Sequence, residues 1–204
     1  MVRVTRERDG ETPDQIWLLE HPPVFTLGLA GRVEHLLDPG SIPVCRSDRG
    51  GQVTYHGPGQ LVCYLLLDLK RKGISIRSLV SRMEQALIDM LAGQGLAAAR
   101  LAGAPGVYIH GRKIAALGIR VRNGCCYHGL ALNVVMDTDP FLRINPCGYP
   151  GLRVTQLREH GCVMSVAQAA DALLPCLLHH LGYHGYNVAC AETSMDPLPV
   201  PVAS

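Results

Sequence analysis

The hydrophobic period of the chain changes twice, and these changes limit the folds that it can adopt. Before Ser75, and again over residues 106–135, apolar residues come in short runs separated by glycine and proline, which indicates β-strands. From Ser75 to Gly93 or Gly95 they recur every three or four positions, which predicts an amphipathic helix with Ser75 as its N-cap. A second segment of this kind covers residues 165–181. The pattern predicts the α+β class, with helices packed on a mixed β-sheet.

Turn residues place the other elements on the sequence. We predict strands at QIWLLEH (15–21), VFTLG (24–28), IPVCRSD (42–48), QVTYH (52–56) and QLVCYLLLDL (60–69), and a short helix at RVEHLL (32–37). The dipeptide Asn123–Gly124 is a strong hairpin signal, and INPCG is predicted to be a loop. On the first long helix, the predicted apolar face consists of Ile76, Leu79, Val80, Met83, Leu87, Met90 and Leu91.

Length and charge limit the domain organisation and the partners. The chain has 204 residues and no internal repeat or linker, so we predict a single domain over residues 1–196. The proline-rich end, residues 197–204, is predicted to be a disordered tail. A net charge of +2 does not favour nucleic acid as the main partner. No apolar run reaches the length of a membrane span, so we expect no membrane partner, and a monomer is the default.

The eight cysteines do not suggest disulfides. The N-terminus is charged and lacks the apolar core of a secretory signal, and the cysteines are scattered without a CxxC pair. We therefore expect free thiols in a reducing cytoplasm. The Cys and His spacing also does not favour zinc, so no metal site is predicted.

The stretch RGGQVTYHGPGQ (49–60) is the first candidate for a binding site. Its glycines allow backbone amides to come close to a ligand. Arg49 could bind a carboxylate or a phosphate, and Tyr55 and His56 could line a cleft. The alternative is a plain β-hairpin with glycine turns, which the glycine pattern alone favours.

Lys113 begins the apolar strand segment GRKIAALGIRV (111–121). Most lysines lie on the surface, with the aliphatic stem packed and the ammonium in water, and that is the ordinary interpretation here. A functional lysine at this position would be partly desolvated, with its pKa lowered. His128 and Gly129 could frame a pocket, but a lone histidine more often makes only a local hydrogen bond, and that is the interpretation favoured for His128.

Cys147 lies between Pro146 and Gly148, in a turn sequence that does not suit a packed core thiol. Such a turn could present the sulfur to a cleft, with the N–H of Gly148 free to donate a hydrogen bond. A thiolate is a nucleophile, and a nearby cation favours that form. The alternative is an incidental loop cysteine.

Five blocks of the sequence together go beyond composition and period. They are WLLEHPPVFTLG (17–28), RGGQVTYHGPGQLVCYLLLDL (49–69), GRKIAALGIRV (111–121), YHGLALNV (127–134) and INPCGYPGLRVTQL (144–157). In this order they closely resemble the octanoyltransferases of lipoate biosynthesis, over roughly residues 15–160. The block RGGxVTYHGPGQ and the NPCG cysteine are the most specific parts of the resemblance.

The resemblance implies a fold, an activity and a set of site residues. The fold would be that of the lipoate–protein and biotin–protein ligase catalytic domains. The enzyme would transfer an octanoyl group from octanoyl-acyl carrier protein to a lysine on lipoyl domains of 2-oxo acid dehydrogenases and on the glycine cleavage H protein, with no cofactor. Cys147 would carry the acyl thioester, and Lys113 would stabilise its thiolate. The acyl substrate would be lined by Arg49, Gly50, Gly51, Gln52, Val53, Thr54, Tyr55, His56, Ala116, Leu117, Gly118, Gly129, Leu130 and Ala131.

Three other functions stay open at this point. An ATP-dependent lipoate–protein ligase would share the fold, but such ligases use no nucleophilic cysteine, so NPCG favours the transferase. A non-catalytic module could bind a carrier protein or a lipoyl domain without reacting. A thioesterase would pass the acyl group from Cys147 to water.

Overall fold

The computed structural model describes residue 1 and residues 5–189, so the predicted tail at 197–204 lies outside the described residues. The strands are β1 (Gln15–Leu19), β2 (Val24–Leu27), β3 (Val44–Arg46), β4 (Val53–His56), β5 (Gln60–Asp68), β6 (Ala99–Leu101), β7 (Ala104–Ile109), β8 (Arg112–Arg122) and β9 (Cys125–Asn133). The helices are α1 (Leu69–Lys72), α2 (Ile76–Gly93) and α3 (Val166–Leu181). Short 3-10 turns cover Val33–His35, Asp139–Arg143, Pro146–Gly148 and Leu157–His160.

The strands form two sheets. The large sheet has six strands in the order β1-β5-β9-β8-β7-β6, and its neighbours are antiparallel. The small sheet has the order β3-β2-β4, with β2 parallel to β3 and antiparallel to β4. The α+β class is confirmed, and the mixed pairing lies in the small sheet.

The residues of β5 explain how the large sheet separates the helices from the site. Side chains alternate between the two faces of a strand. Leu61, Cys63, Leu65 and Leu67 belong to the main core with α2 and α3, whereas Val62 and Tyr64 face a cavity. One face of the sheet therefore packs on helices, and the other is available for a ligand.

The two long helices begin where the sequence predicts. The hydroxyl of Ser75 accepts the N–H of Ser78 at 3.1 Å, and Ser165 forms a capping box with Gln168. The predicted apolar face of α2 is wrong at Ile76, which is 51% exposed because the buried face begins one turn later, at Leu79. The same face also buries a carboxylate, that of Glu84.

The segment 49–60 is not a hairpin. β4 lies in the small sheet and β5 in the large one, so the two strands do not pair. The chain passes from the small sheet to the large sheet at Gly59. This residue has φ +83°, and a Cβ there would lie 2.0 Å from the carbonyl oxygen of Val135. Only glycine fits such a close approach between backbones.

The other short predictions are partly confirmed. Asn123 and Gly124 both have positive φ, as a two-residue hairpin turn between β8 and β9 requires. The predicted helix at 32–37 is reduced to the 3-10 turn Val33–His35. Described cysteines are free thiols, as expected. Within the part of the chain that the structure describes, no helix has the length and apolar character needed to cross a bilayer.

Candidate active site

The turn that carries Cys147 is held in an unusual backbone conformation. Cys147 has φ +57° and ψ +15°, in the left-handed region that residues with a Cβ rarely adopt. Main-chain hydrogen bonds fix the turn: Asn145 N–H donates to the carbonyl of His35 at 2.8 Å, and Gly148 N–H to the carbonyl of Asn145 at 2.9 Å. The prediction that the Gly148 amide is free to donate is therefore wrong, because the turn itself uses it.

Lys113 is buried, at 3% exposure, so it is not a surface lysine that extends into water. Its Nζ donates to the Sγ of Cys147 at 3.0 Å and to the carbonyl of Pro105 at 3.1 Å. The ring of Tyr108 lies below the ammonium, with its centroid 5.2 Å from Nζ. The structure thus brings the two predicted catalytic side chains into direct contact.

Backbone pairing explains how this contact forms. Lys113 N–H donates to the carbonyl of Arg153, and Thr155 N–H donates to the carbonyl of Lys113, both at 2.9 Å. The two bonds make a parallel β-bridge between Lys113 and Val154. The segment that follows Cys147 is therefore attached to the strand that carries Lys113.

The electrostatics of Lys113 differ from the expectation. Burial lowers the pKa of the ammonium, but the charge of the Cys147 thiolate and the hydrogen bond to it raise that pKa more, so the net pKa is above its ordinary value. The predicted lowered pKa of Lys113 is wrong, because the sequence could not show how close the sulfur of Cys147 lies. At rest, the side chain is an ammonium ion.

Arg49 links β2 of the small sheet to the residue that precedes β4. Its Nε and Nη2 donate to the Thr26 hydroxyl at 3.0 and 2.8 Å, and Nη2 also donates to the carbonyls of Thr26 and Gln52 at 2.6 and 2.7 Å. Burial lowers the pKa of Arg49 to about 10, against the opposing effects of Cys147 and Tyr64. The guanidinium therefore remains charged near Cys147, while most of its donors bind the protein itself.

A cavity of about 650 Å³ lies between the small sheet and the free face of the large sheet. Most of the predicted site residues line it: Lys113, Cys147, Arg49, Gly51, Gln52, Val53, Thr54, His56, Ala116, Leu117, Gly118, Gly129, Leu130 and Ala131. The small and apolar residues of β8 and β9 form one wall.

Two predicted residues do not line the cavity. Tyr55 packs in the small-sheet core, with ring centroids 5.5 Å from those of both Phe25 and Phe141. Gly50 serves backbone packing: its N–H donates to the carbonyl of Ile119 at 3.2 Å, and a Cβ there would lie 2.7 Å from that oxygen. Gly50 thus joins the Arg49 loop to β8.

His56 is neutral and has a fixed tautomer. Burial lowers its pKa to about 3, although the hydrogen bond to Gln60 opposes this shift. Asn133 Nδ2 donates to the carbonyl of Thr155 at 2.9 Å, so its Oδ1 accepts Nε2 of Gln60 at 2.9 Å. The Gln60 Oε1 is then left to accept His56 Nδ1–H at 2.7 Å. Nε2 of His56 is consequently an acceptor.

A polar cluster at the cavity was not found from the sequence. His128 Nε2 binds the carboxylate of Asp48 at 2.8 Å, and the Tyr127 hydroxyl binds the same carboxylate. Neighbouring strand residues normally face opposite sides, but His128 has φ +62°. The expectation of a local hydrogen bond is wrong, because Asp48 is 80 positions away. His21 joins this end of the cavity through the Tyr64 hydroxyl, at 2.5 Å.

The cluster shifts its own titrating groups. Burial raises the pKa of Asp48, but the hydrogen bonds from Tyr127 and His128 lower it more, so the net pKa is below its ordinary value. Burial also lowers the pKa of His128, against the effect of Asp48. In His21, burial alone lowers the pKa. The histidines of the cavity are therefore biased toward their neutral forms.

Comparison with known proteins shows the family of the chain. Residues 1–178 match the family model described as the lipoyl protein ligase A/B catalytic domain. The octanoyltransferase of Pseudomonas fluorescens (strain Pf0-1) is 60% identical over 183 residues, which cover 90% of this chain and 85% of that protein. This chain belongs to the octanoyltransferase family. The family member from Alkalilimnicola ehrlichii is also 60% identical, over 87% of this chain and 83% of its own length.

Solved structures support the fold of the family. A lipoate-protein ligase A bound with ATP has a TM-score of 0.74 at 20% identity, over 93% of this chain and 81% of that one. A biotin protein ligase from Aquifex aeolicus has a TM-score of 0.51 at 17% identity, over 61% of this chain and 53% of that one. The predicted ligase-like fold is confirmed.

Proposed function

We propose that the protein transfers an octanoyl group from octanoyl-acyl carrier protein to a lysine of lipoyl domains, through an acyl thioester on Cys147. The observation that carries this proposal is the 3.0 Å contact of Lys113 Nζ with Cys147 Sγ at a cavity with an apolar wall. The acceptors would be lipoyl domains of 2-oxo acid dehydrogenases and the glycine cleavage H protein. Family membership supports octanoyl transfer in lipoate biosynthesis.

In the first step, the thiolate of Cys147 attacks the carbonyl carbon of the donor thioester. The new C–S bond replaces the bond to the carrier sulfur, which leaves as a thiolate and takes a proton from the Lys113 ammonium. A thioester is exchanged for a thioester, so the step needs no ATP. The raised pKa of Lys113 supports an ammonium that is available at the start of this step.

In the second step, the neutral amine of the acceptor lysine attacks the acyl-Cys147 carbonyl. The C–N bond forms, the C–S bond breaks, and Cys147 leaves as a thiolate. The free amine of Lys113 takes the proton that the new amide loses. Lys113 is then an ammonium again, and the resting pair is restored.

Both steps pass through an oxyanion, which needs a fixed donor. We assign this role to the carboxamide of Gln52, since the Gly148 amide is occupied. Gln52 Oε1 accepts the N–H of Arg32 at 2.9 Å, and among the described residues no hydrogen-bond partner occupies Nε2. Its Cγ lies 3.2 Å from the position of a Cβ on Gly148, next to Cys147. Removing such a donor typically costs about 10²–10³ in rate.

The β8–β9 wall supports binding of an acyl chain. Ala116 and Ala131 lie directly opposite each other and line the cavity, whereas the opposed pair Leu117 and Leu130 also borders it but packs with the main core on the helix side. Each buried CH₂ group contributes about 0.8 kcal/mol. An eight-carbon chain is therefore separated from much shorter chains, but only weakly from its immediate neighbours.

The rival functions are less well supported. Octanoyltransferase relatives share 60% identity with the chain, whereas the ATP-bound ligase shares 20% and indicates the fold alone. A binding module would not need a buried ammonium in contact with a thiol. A thioesterase would form the same acyl-enzyme. The two activities differ only in the acceptor of the acyl group, which is water for a thioesterase and a lysine for the transferase.

One experiment tests the proposal and its rivals together. The protein is mixed with octanoyl-carrier protein without ATP, and intact mass spectrometry follows the enzyme and an added lipoyl domain. We expect an octanoyl adduct on Cys147 and then on the lipoyl domain. Cys147→Ser should give neither product. Transfer by Cys147→Ser at the parent rate would exclude covalent catalysis, and release of octanoate without acyl-lysine would indicate a thioesterase.

The remaining expectations stay predictions. They are a single domain over residues 1–196, a monomeric state and a location in the cytoplasm. The free thiols of the described residues are compatible with a reducing compartment.

A further inference from the structure

A buried carboxylate on α2 lies next to the site. Glu84 is 7% exposed, and its Oε1 accepts the N–H of Gly106 at 3.0 Å. Its Oε2 accepts Nε of Arg100 at 3.0 Å. Glutamate is rarely this buried unless it is paired, because desolvating a carboxylate is costly. Both oxygens have partners here, and only one of these partners is a charged side chain.

The partner of Oε1 leads directly to Lys113. Gly106 N–H and the carbonyl of Pro105 are the two ends of one peptide group, and that carbonyl accepts Nζ of Lys113 at 3.1 Å. A peptide group is planar, so fixing its N–H end also fixes the direction of its carbonyl. Glu84 and Lys113 therefore hold opposite ends of one rigid unit.

Local backbone geometry explains why this peptide needs an anchor from outside the sheet. The register of β7 with β8 shifts between Val107 and Tyr108, and such a bulge interrupts the regular ladder of hydrogen bonds. Gly106 has φ +135°, and a Cβ there would lie 2.7 Å from the carbonyl oxygen of Ala115 and 3.1 Å from Cε of Lys113. Gly106 is thus packed tightly against the catalytic lysine.

We infer that Glu84 is a positioning residue for the pair of Lys113 and Cys147. Through the Pro105–Gly106 peptide, it fixes the carbonyl that anchors Nζ and so directs Nζ toward the sulfur. The inference builds on the proposed roles of Lys113 and Cys147 and assigns Glu84 no contact with substrate. The competing role is purely structural, in which Glu84 only neutralises Arg100 and fills the core.

Two substitutions separate the reach of Glu84 from its charge. Glu84→Gln keeps the length and an oxygen that can accept Gly106 N–H, but it loses the charge. Glu84→Asp keeps the charge, but it is one methylene group too short to reach Gly106. Met83→Ala is the control for stability, since Met83 is fully buried on the same helix and takes no part in the hydrogen bonds of Glu84.

The readout is the rate at which iodoacetamide alkylates Cys147 at pH 7, followed by peptide mass spectrometry, with thermal unfolding measured in parallel. Arg49, Tyr108 and Tyr149 also face the pair, and they are unchanged in every variant. We expect Glu84→Asp to slow alkylation about tenfold, because a displaced ammonium no longer favours the thiolate. Glu84→Gln and Met83→Ala should stay within about threefold of the parent.

Parent-like alkylation of Glu84→Asp would overturn the inference. So would equal slowing in Glu84→Gln or in Met83→Ala, because the effect would then follow charge or stability. Alkylation needs no octanoyl donor, so this result is independent of whether octanoyl transfer is the correct activity.

Discussion

Lys113 is joined to Val154 by a parallel β-bridge, while its ammonium binds Cys147 on the same loop segment. The contact between Lys113 and Cys147 therefore depends on main-chain pairing as well as on the side chains. Residues 34 positions apart are held together in this way across the β8–β9 hairpin and the loop that follows it.

Proton transfer by Lys113 predicts a large effect of Lys113→Arg. Arginine keeps the positive charge but does not give up its proton, so both steps lose their acid and base. We expect kcat for octanoyl transfer to fall by about 10²–10⁴. Steady-state transfer to a lipoyl domain measures this, with Lys72→Arg as control, because Lys72 lies over the Tyr183 ring away from the cavity. Turnover like the parent would leave Lys113 only an electrostatic role.

The proposed oxyanion donor predicts a selective effect of Gln52→Leu. Leucine fills a similar volume but has no N–H group. We expect kcat to fall by about 10²–10³ with KM for the donor nearly unchanged, since the oxyanion exists only in the transition state and its intermediates. The exposed Gln94→Leu serves as the control. A rise in KM with kcat unchanged would instead indicate that Gln52 only binds the donor.

The opposed alanines of β8 and β9 predict chain-length selectivity. Ala116→Leu should block the part of the cavity between Ala116 and Ala131. If about three methylene groups of the octanoyl chain lose their burial, the rate with octanoyl donor falls about 50-fold relative to butanoyl donor. Competition between the two donors measures this ratio directly. An unchanged ratio would show that the acyl chain follows another wall, and the butanoyl rate controls for loss of fold.

Burial of neutral His56 predicts acid sensitivity. The pKa of His56 is lowered from 6.5 to about 3, so the unfolded chain binds a proton that the folded chain does not over this pH range. The stabilisation that comes from burying neutral His56 is complete above the pKa of this histidine in the unfolded chain. It is lost as the pH falls toward the pKa of His56 in the folded chain. The loss is at most about 1.4 kcal/mol per pH unit.

The variant His56→Gln tests this assignment. The difference in unfolding free energy between pH 7 and pH 5 should be smaller in the variant than in the parent, as measured by urea denaturation. Equal pH dependence would assign the acid sensitivity to the other histidines of the cavity, His21 and His128, whose pKa values are also lowered.

The sequence predicts the local elements well because their signals are local. The caps at Ser75 and Ser165 and the turn at Asn123–Gly124 act within a few residues of their own positions. Whether β4 and β5 pair depends instead on contacts of Gly59 with Val135, which lie far apart in the chain. This explains why strands β4 and β5 are predicted correctly, whereas the hairpin between them, which the glycine pattern favours, is wrong.

The residues of the candidate site also differ in whether the sequence alone could identify them. The resemblance to the family marks Cys147 and Lys113, but composition and period leave both residues with ordinary alternatives. Glu84 could have been found, since it lies four residues after Val80 and three before Leu87, on the apolar face of α2. The pairing of Asp48 with His128 could not, because it depends on an unusual φ and on two distant segments.

The placement of the helices has a consequence for how this scaffold can change. Because α2 and α3 cover one face of the large sheet, most of the folding core lies on the side away from Cys147. The small sheet closes the cavity from the other side with its own minor core of aromatic and aliphatic residues. Because Ile144 and Val154, on either side of Cys147, pack in this minor core, substitutions there should change the cavity wall and the position of the sulfur together, whereas Lys113 is held by the large sheet.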